Sequence, residues 1–511
     1  VKALVVVIGA MFFGLGASVL ARGEIVVGSK AFTEGYILGE VAAQVIEGSP
    51  GRPLVQRKLG MGGTGILFEA LKKGSIDLYA DYTGTVAEAI LKNPALKTIE
   101  GIRSALRPLG IEASEPLGFD NTYALAVKES FAAAHGLKRV SDLKSWVSTL
   151  RAAFSYEFMD RSDGYEGLVS RYQLKLAAPP RRMEHSLAYE AIASDSVDLI
   201  EVYSTDSKIA KLGLRVLEDD LHYFPSYEGV FLASSSFVRE HSQAWAELGK
   251  LAGKIPAERM LALNARADLD KAPFGQVASE FLRPNSDSTG SASTLFDRIW
   301  LRTREHLVLV GIALLFSIAV GIPLGIFATR SAFAGQAILL LSGLVQTIPS
   351  LALLCFLIPL LGVGFFPAIA ALCMYGLLPV VLNTFEGLRA VDPRHREVAR
   401  ALGLSGREIL TRITLPLASP SILAGVKTSA IVGIGTATLA ALIGAGGYGA
   451  PIVSGLALND IPTILTGAIP AAVMALLAHG AFEGLRRVVV PRGLRLGSFE
   501  RRRVSRESRE R

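Results

Sequence analysis

Arg283-Pro284-Asn285-Ser286-Asp287-Ser288-Thr289-Gly290-Ser291 divides the chain. The stretch is polar, carries proline and glycine, and offers nothing to a hydrophobic core, which is the composition of a flexible linker. On its N-terminal side, from about Gly23 to Thr294, charged and apolar residues mix as in a soluble domain. On its C-terminal side, from Leu307 to Leu485, long apolar runs dominate. The two halves are therefore written for two different solvents. The 511 residues suffice for two or three domains, and a hydrophobic share of 50% exceeds that of an ordinary soluble protein.

Working outward to the N-terminus, Lys2 precedes an apolar run from Ala3 to Leu20 that ends in Val19-Leu20-Ala21, a small-residue pattern like a secretory cleavage site. Residues 1–23 read as a signal peptide or an N-terminal anchor, and either way the next domain faces outward. From Glu24, short β-branched runs such as Ile25-Val26-Val27 alternate with amphipathic stretches such as Ile37 to Ile46. That alternation predicts a two-lobed α/β domain over residues 24–283.

Beyond a linker at 284–298, residues 299–488 predict an all-α membrane domain with five spans: His306 to Thr329, Ala337 to Leu361, Phe366 to Leu388, Ser421 to Ile443 and Pro462 to Leu485. Five crossings reverse the side. With the soluble domain outside, the charged stretch Arg389 to Arg396 falls inside. The segments Gly362 to Phe365 and Gly444 to Asp460, nearly free of Lys and Arg, then fall outside. The formal net charge of +7 owes much to the tail 489–511, which carries Arg492, Arg495, Arg501, Arg502, Arg503, Arg506, Arg509 and Arg511. Beside a membrane helix such a tail reads as a cytoplasmic flank and not as a nucleic-acid arm.

Both cysteines, Cys355 and Cys373, lie in apolar runs, so neither a disulfide framework nor a zinc site follows from their spacing. The seven His show no HExxH pattern, and neither GxxxxGK[ST] nor G-x-S-x-G occurs. A membrane-anchored hydrolase therefore lacks its nucleophile. A solute sensor would need a cytoplasmic signalling domain, which the arginine-rich tail does not supply. No cofactor is expected in this chain, and ATP, if it drives the process, must be bound by another polypeptide.

Between the third and fourth spans stand Glu397-Val398-Ala399-Arg400-Ala401-Leu402-Gly403-Leu404-Ser405 and then Ile413-Thr414-Leu415-Pro416. Small and apolar residues at helical spacing, then a glycine and a proline, predict short helices joined by a sharp turn. These residues resemble the EAA loop of ABC importer permeases at Glu397, Ala399, Gly403, Leu415 and Pro416, with Val398 replacing the usual first Ala. The resemblance implies that the loop docks on a separate ABC ATPase. It also implies that two copies of the chain build one pore. The run Gly444-Ala445-Gly446-Gly447-Tyr448-Gly449 lacks the lysine of a phosphate loop and looks like the glycine-rich element of quaternary-amine permeases.

In the soluble half, aromatic and charged residues recur in short segments: Gly28 to Glu34, Asp77 to Thr85, Asn121 to Leu125, Asp160 to Tyr165, Glu201 to Asp206 and Tyr223 to Tyr227. These resemble the binding proteins of osmoprotectant ABC importers, which take glycine betaine, proline betaine, choline or carnitine. The resemblance covers nearly the whole chain and implies a periplasmic-binding-protein fold followed by an ABC permease domain. Lobe 1 is expected at 24–118 and 223–283, and lobe 2 at 119–222.

The resemblance also implies a site. Tyr82, Tyr123, Tyr203 and Tyr227 would form an aromatic box, and Lys30, Thr85 and Arg161 would hold a carboxylate. The chemistry agrees, because a fully methylated ammonium has no hydrogen to donate and is recognised instead by the negative faces of aromatic rings, each worth about 0.5–2 kcal/mol. Two cations at the far end favour a betaine over choline, whose hydroxyl would leave them unpartnered, although a neighbouring carboxylate such as Asp163 would offset this. Tyr79, Tyr156, Tyr165 and Tyr223 are assigned to packing or to support of the box. The expected whole is an importer subunit of the bacterial inner membrane, its binding domain outside and its C-terminus cytoplasmic. Another betaine, a histidine betaine or an amino acid would fit the same architecture.

Overall fold

Residues 24–284, 295–458, 460–491 and 494 are described by the computed structural model. The signal or anchor segment, most of the linker and most of the basic tail lie outside the described residues. The chain forms two compact units that meet in sequence near Ser291 and Ala292.

In the first unit, β-branched and aromatic runs build two separate sheets. One contains β1 (Glu24–Gly28), β2 (Leu54–Lys58), β3 (Leu78–Tyr82), β4 (Ile111–Ala113) and β10 (Gly229–Ser234), in the order β2-β1-β3-β10-β4. The other contains β5 (Tyr123–Lys128), β6 (Ala152–Ser155), β7 (Arg181–Met183), β8 (Leu199–Tyr203) and β9 (Leu214–Leu217), in the order β7-β6-β8-β5-β9. Each sheet is parallel on one side and holds one reversed strand: β10 runs against β3 and β4, and β5 against β8 and β9. The chain passes between the lobes twice, at Asp120 and Glu228, which form a β-bridge.

Helix α1 (Thr33–Glu47) follows β1 directly and buries Ile37, Leu38, Val41 and Ile46 against the first sheet. Each of these side chains contributes about 1.5–3 kcal/mol when fully removed from water. That burial fixes the helix, and its first turn then sets Glu34 at the carboxyl ends of β1 and β3. Helix α2 (Ala257–Asp268) packs alongside and buries Asn264 and Asp268. Ligands of α/β folds gather at such strand ends, where side chains from several strands converge.

The second unit is helical: α3 (Leu295–Ala328), α4 (Ala332–Thr347), α5 (Ser350–Leu361), α6 (Phe365–Arg389), α7 (Pro393–Ala401), α8 (Leu415–Ala437), α9 (Gly449–Leu458) and α10 (Ile461–Val489). Among the described residues, four helices are long and apolar enough to cross a membrane: α3, α6, the continuous helix Gly406–Ala437 that contains α8, and α10. The expected span from Ala337 to Leu361 is instead the pair α4 and α5, bent by 97°. Pro349 is the cause, since the residue before a proline is driven out of helical geometry, and Ile348 is extended with ψ 125. The five expected spans thus correspond to four such helices and one bent pair. Helix α3 begins at Leu295, inside the expected linker at 284–298, and the expected loop from Gly444 to Asp460 contains α9.

Gly321 and Gly325, four residues apart on α3, let α6 approach closely. A Cβ at Gly325 would lie 2.6 Å from Thr384 Cβ, and one at Gly321 would lie 2.9 Å from Val380 Cβ. Between apolar helices in lipid, such close contact replaces the hydrophobic driving force.

Candidate functional site

The box tyrosines stand where strands end. β3 ends on Tyr82, β8 ends on Tyr203 and β5 begins on Tyr123, and the antiparallel register makes Tyr123 and Tyr203 direct partners. Tyr227 immediately precedes the Glu228-Gly229 entry into β10, whose Gly229 pairs with Tyr82. The Tyr123 ring lies 5.2 Å from Tyr203 and 5.6 Å from Tyr227, the latter edge-on at 83°. These are the spacings of tilted and edge-on aromatic pairs in contact. Tyr82 joins the group through Phe32, whose ring is 6.3 Å from Tyr82 and 5.5 Å from Tyr203. Phe32 lies in the quoted Gly28 to Glu34 segment but was not singled out; its place at the cap of α1, opposite the ends of β3 and β8, is a tertiary fact.

Arg161 comes out of the short helix Tyr156–Asp160 and is buried. Its Nε and Nη2 donate to Asp163 at 2.7 and 2.5 Å, and its Nη1 reaches Thr85 Oγ1 at 3.3 Å. The guanidinium carbon lies 5.5 Å from the Tyr123 ring and 5.8 Å from the Tyr227 ring. The Tyr227 hydroxyl donates to the same Asp163 at 2.5 Å. Lys30, also buried, donates to Asp81 at 2.7 Å and stands 5.5 Å from the Tyr82 ring.

The seven residues singled out from the sequence thus fall in two groups, Lys30 with Tyr82, and Arg161 and Thr85 with Tyr123, Tyr203 and Tyr227, which Phe32 connects, and each cation brings its own carboxylate. This corrects the expectation of two cations left unpartnered by choline. A buried ion pair satisfied within the protein carries no such penalty. The remaining nitrogen, Arg161 Nη1, lies between Thr85 Oγ1 at 3.3 Å and Glu157 Oε1 at 3.6 Å.

Sequence reading also missed Glu34. Its carboxylate is buried and accepts four hydrogen bonds: Tyr82 hydroxyl at 2.5 Å, Asn121 Nδ2 at 2.9 Å, Thr205 Oγ1 at 2.7 Å and Asn264 Nδ2 at 3.0 Å. Burial pushes its pKa above the usual 4.5, with the four donors pulling the other way. An acid in the first turn of a helix ordinarily needs no further reason than the helix dipole, so nothing in the sequence marked it. Nearby, Asp268 accepts from Thr33 at 2.6 Å and from Ser207 at 3.0 Å. Thr205 and Ser207 follow β8, so Glu34 on α1 and Asp268 on α2 accept hydrogen bonds from the second lobe.

Behind Tyr203, the His185 ring stacks at 4.2 Å and 27°. Its nitrogens meet Asp206 at 2.8 Å and Glu201 at 3.3 Å. Burial works against its charge, yet the Asp206 and Glu201 carboxylates lift its pKa from 6.5 to about 10.

In the helical unit, Asp392 caps α7 by accepting from Arg394 N at 2.9 Å, Pro393 opens the helix, and Gly403 ends it with φ 81. A capping box between Ser405 and Glu408 starts the next helix, which runs on through Leu415 and Pro416. Ala399 is buried, whereas Glu397 is exposed and Val398 and Leu402 are 60% and 73% exposed. The turn thus presents a small apolar knob. The glycine-rich run folds onto α3: Gly447 N donates to Glu305 at 2.8 Å, and the Tyr448 and Thr303 hydroxyls meet at 2.7 Å. An acid on that amide is the opposite of a phosphate cradle.

Residues 23–284 match the family described as the substrate binding domain of ABC-type glycine betaine transport system. Residues 321–494 match the binding-protein-dependent transport system inner membrane component. The glycine betaine/carnitine/choline transport system permease protein OpuCB of Bacillus subtilis is 42% identical over 38% of this chain and 89% of its own length. The carnitine transport binding protein OpuCC of Listeria monocytogenes is 31% identical over 53% of this chain and 90% of its own. The ergothioneine transport permease/ergothioneine binding protein EgtU of Helicobacter pylori is 31% identical over 50% of this chain and 47% of its own. A solved structure described as a glycine betaine/carnitine/choline ABC transporter shares 29% identity over 51% of this chain and 98% of that chain, with a TM-score of 0.44.

Proposed function

Because the chain belongs to the family of substrate-binding domains of ABC-type glycine betaine transport systems, and carries an inner-membrane permease component on the same polypeptide, we propose that it takes up a quaternary-ammonium osmoprotectant of the glycine-betaine type. It is a fused binding and permease subunit of an ABC importer of the inner membrane, and it works with an ABC ATPase and a small ligand.

The observation that supports the substrate reading is the run of ring contacts that joins Tyr227, Tyr123 and Tyr203, and Tyr82 through Phe32, with Arg161 beside Tyr123 and Tyr227. The methylated head would sit among the rings, where no hydrogen bond is asked of it. Its carboxylate would take Arg161 Nη1 in place of the longer contact to Glu157, together with the Thr85 hydroxyl, which already accepts from Arg161. Because these partners come from both lobes, bound ligand favours the closed form that makes all its contacts at once. In our reading the receptor faces the periplasm, the C-terminus and the α7 turn face the cytoplasm, and Val398 and Leu402 enter a cleft of the ATPase, which consumes the ATP. Two copies of the chain would complete one pore.

The internal pairing of Lys30 with Asp81 and of Arg161 with Asp163 favours a second reading, in which choline or carnitine is also accepted. Names of relatives that mention choline, carnitine and ergothioneine agree with that breadth. Calorimetric titration of the full chain in detergent with glycine betaine, proline betaine, carnitine, choline and histidine tests both. Glycine betaine is expected to bind and histidine to fail. Binding of histidine with no methylated compound bound would end the proposal.

A further inference from the structure

Four arginines and no acidic side chain line one cavity of the helical unit, a hollow of about 880 Å³ between the α3–α4 turn, the last turn of α6, and α7 with the turn after it. Arg330, Arg389 and Arg400 are exposed at its rim, and Arg396 is half-buried. Arg330 and Arg389 lie over the rings of Phe327 and Phe385, each at 5.3 Å. Arg396 Nη2 donates to Val391 O at 3.1 Å, while its buried Nε has no acceptor. Among the described residues none of the four has a carboxylate within ion-pair distance. Like charges gathered round a hollow repel, and the guanidinium fork is matched by the oxygens of a phosphate.

Beside the arginines the lining mixes polar Thr329, Ser331, Gln336 and Thr414 with apolar Leu339, Phe385, Leu388 and Leu410. On the same α4, Phe333 and Leu340 point away from the protein, 82% and 65% exposed, as side chains that face hydrocarbon do. An occupant with a phosphate at one end and hydrocarbon at the other fits the arginines of the cavity and the apolar face of α4 beside it. We propose that the cavity binds the phosphate headgroup of an anionic membrane phospholipid, with Arg396 deepest and Arg330, Arg389 and Arg400 closing on it from the rim. Helix α7 carries Arg396 and Arg400 as well as Glu397 and Ala399, so an occupied cavity ties the proposed coupling turn to α6 and α4. The inference stands on the permease unit and does not depend on the identity of the transported solute.

The test uses the full chain in an uncharged detergent, with the unfolding midpoint and native mass spectrometry as readouts. The probes are dioctanoyl phosphatidylglycerol, dioctanoyl phosphatidylcholine and inorganic phosphate. Phosphatidylglycerol is expected to bind saturably and at least tenfold more tightly than phosphatidylcholine. The double variant Arg330→Gln/Arg389→Gln should lose at least tenfold, and the equal charge loss Arg486→Gln/Arg487→Gln, on α10, should change binding less than twofold. If the double variant fails to fold, Arg400→Gln alone, on the rim, should still lose about threefold. Equal loss in both double variants, equal affinity for the two lipids, no saturable binding, or binding of inorganic phosphate with the lipid excluded would each overturn the assignment.

Discussion

The Tyr82 hydroxyl donates a 2.5 Å hydrogen bond to the Glu34 carboxylate, and the same carboxylate gathers Asn121 and Thr205 from beyond the first lobe crossing. One buried acid thus orients a ring of the box and latches the lobes. All four partners present hydrogens, so an amide at position 34 would set a donor against donors. Glu34→Gln is expected to weaken ligand binding at least tenfold although it conserves shape. Glu34→Ala should lower stability as well, because each donor left unsatisfied in the interior costs about 1–3 kcal/mol. Titration and thermal unfolding of both variants check this; wild-type affinity in Glu34→Gln would refute the latch.

Arg161 and Tyr203 are expected to fail differently. Tyr203→Ala removes a wall of the box and should weaken betaine binding at least tenfold, about 1.4 kcal/mol, with little change in folding. Arg161→Ala should weaken binding by at least as much and also destabilise the domain, because Asp163 would keep a buried charge without its cation. Tyr203→Phe keeps the ring and should stay within threefold of the wild type. Unaltered affinity in both alanine variants, with folding intact, would remove the box assignment.

How much of this the sequence showed can be traced residue by residue. The division into two solvents and the alternation that builds the sheets are periodic signals, and a chain shows those locally. Tyr82, Tyr123 and Tyr203 were legible because each sits at a strand end inside a short aromatic motif. Phe32, Glu34 and His185 were not, because their roles come from what tertiary packing sets opposite them. The pairing of Lys30 with Asp81 spans 51 residues and belongs to the sheet order β1-β3, which no local pattern states. The bend at Pro349 was written in the chain, but a run of apolar residues on both sides hid it within one apparent span.

Gly84 offers a test of how closely the box is packed. A Cβ there would stand 2.7 Å from the Tyr227 ring and 2.7 Å from Ser226 O. The carbonyl belongs to the backbone and cannot swing away, so Gly84→Ala must displace the loop that carries Tyr227. Affinity is expected to fall at least fivefold and the unfolding temperature by a few degrees, consistent with the roughly 1–3 kcal/mol of an overpacked core. An unaltered titration would mean that Tyr227 is not a wall of the site.

His185 links the box to pH. Its folded pKa of about 10 lies above the unfolded value near 6.5, because Asp206 and Glu201 hold its proton against the cost of burial. The paired Asp206 is correspondingly lowered, which describes the same ion pair and is not counted twice. A raised histidine pKa contributes stability that is fully present below about pH 6.5 and is lost as pH rises through about 10. The first unit should therefore lose more than about 1.4 kcal/mol across that window, the equivalent of one pKa unit. His185→Gln should show a flatter profile over the same range and converge with the wild type at its alkaline end. Ligand affinity should follow, since the imidazolium stacks on Tyr203 and fixes that ring at the strand end. Chemical unfolding of both proteins at intervals from pH 6 to 10 measures the difference, and parallel profiles would show that His185 is uncharged in the folded domain.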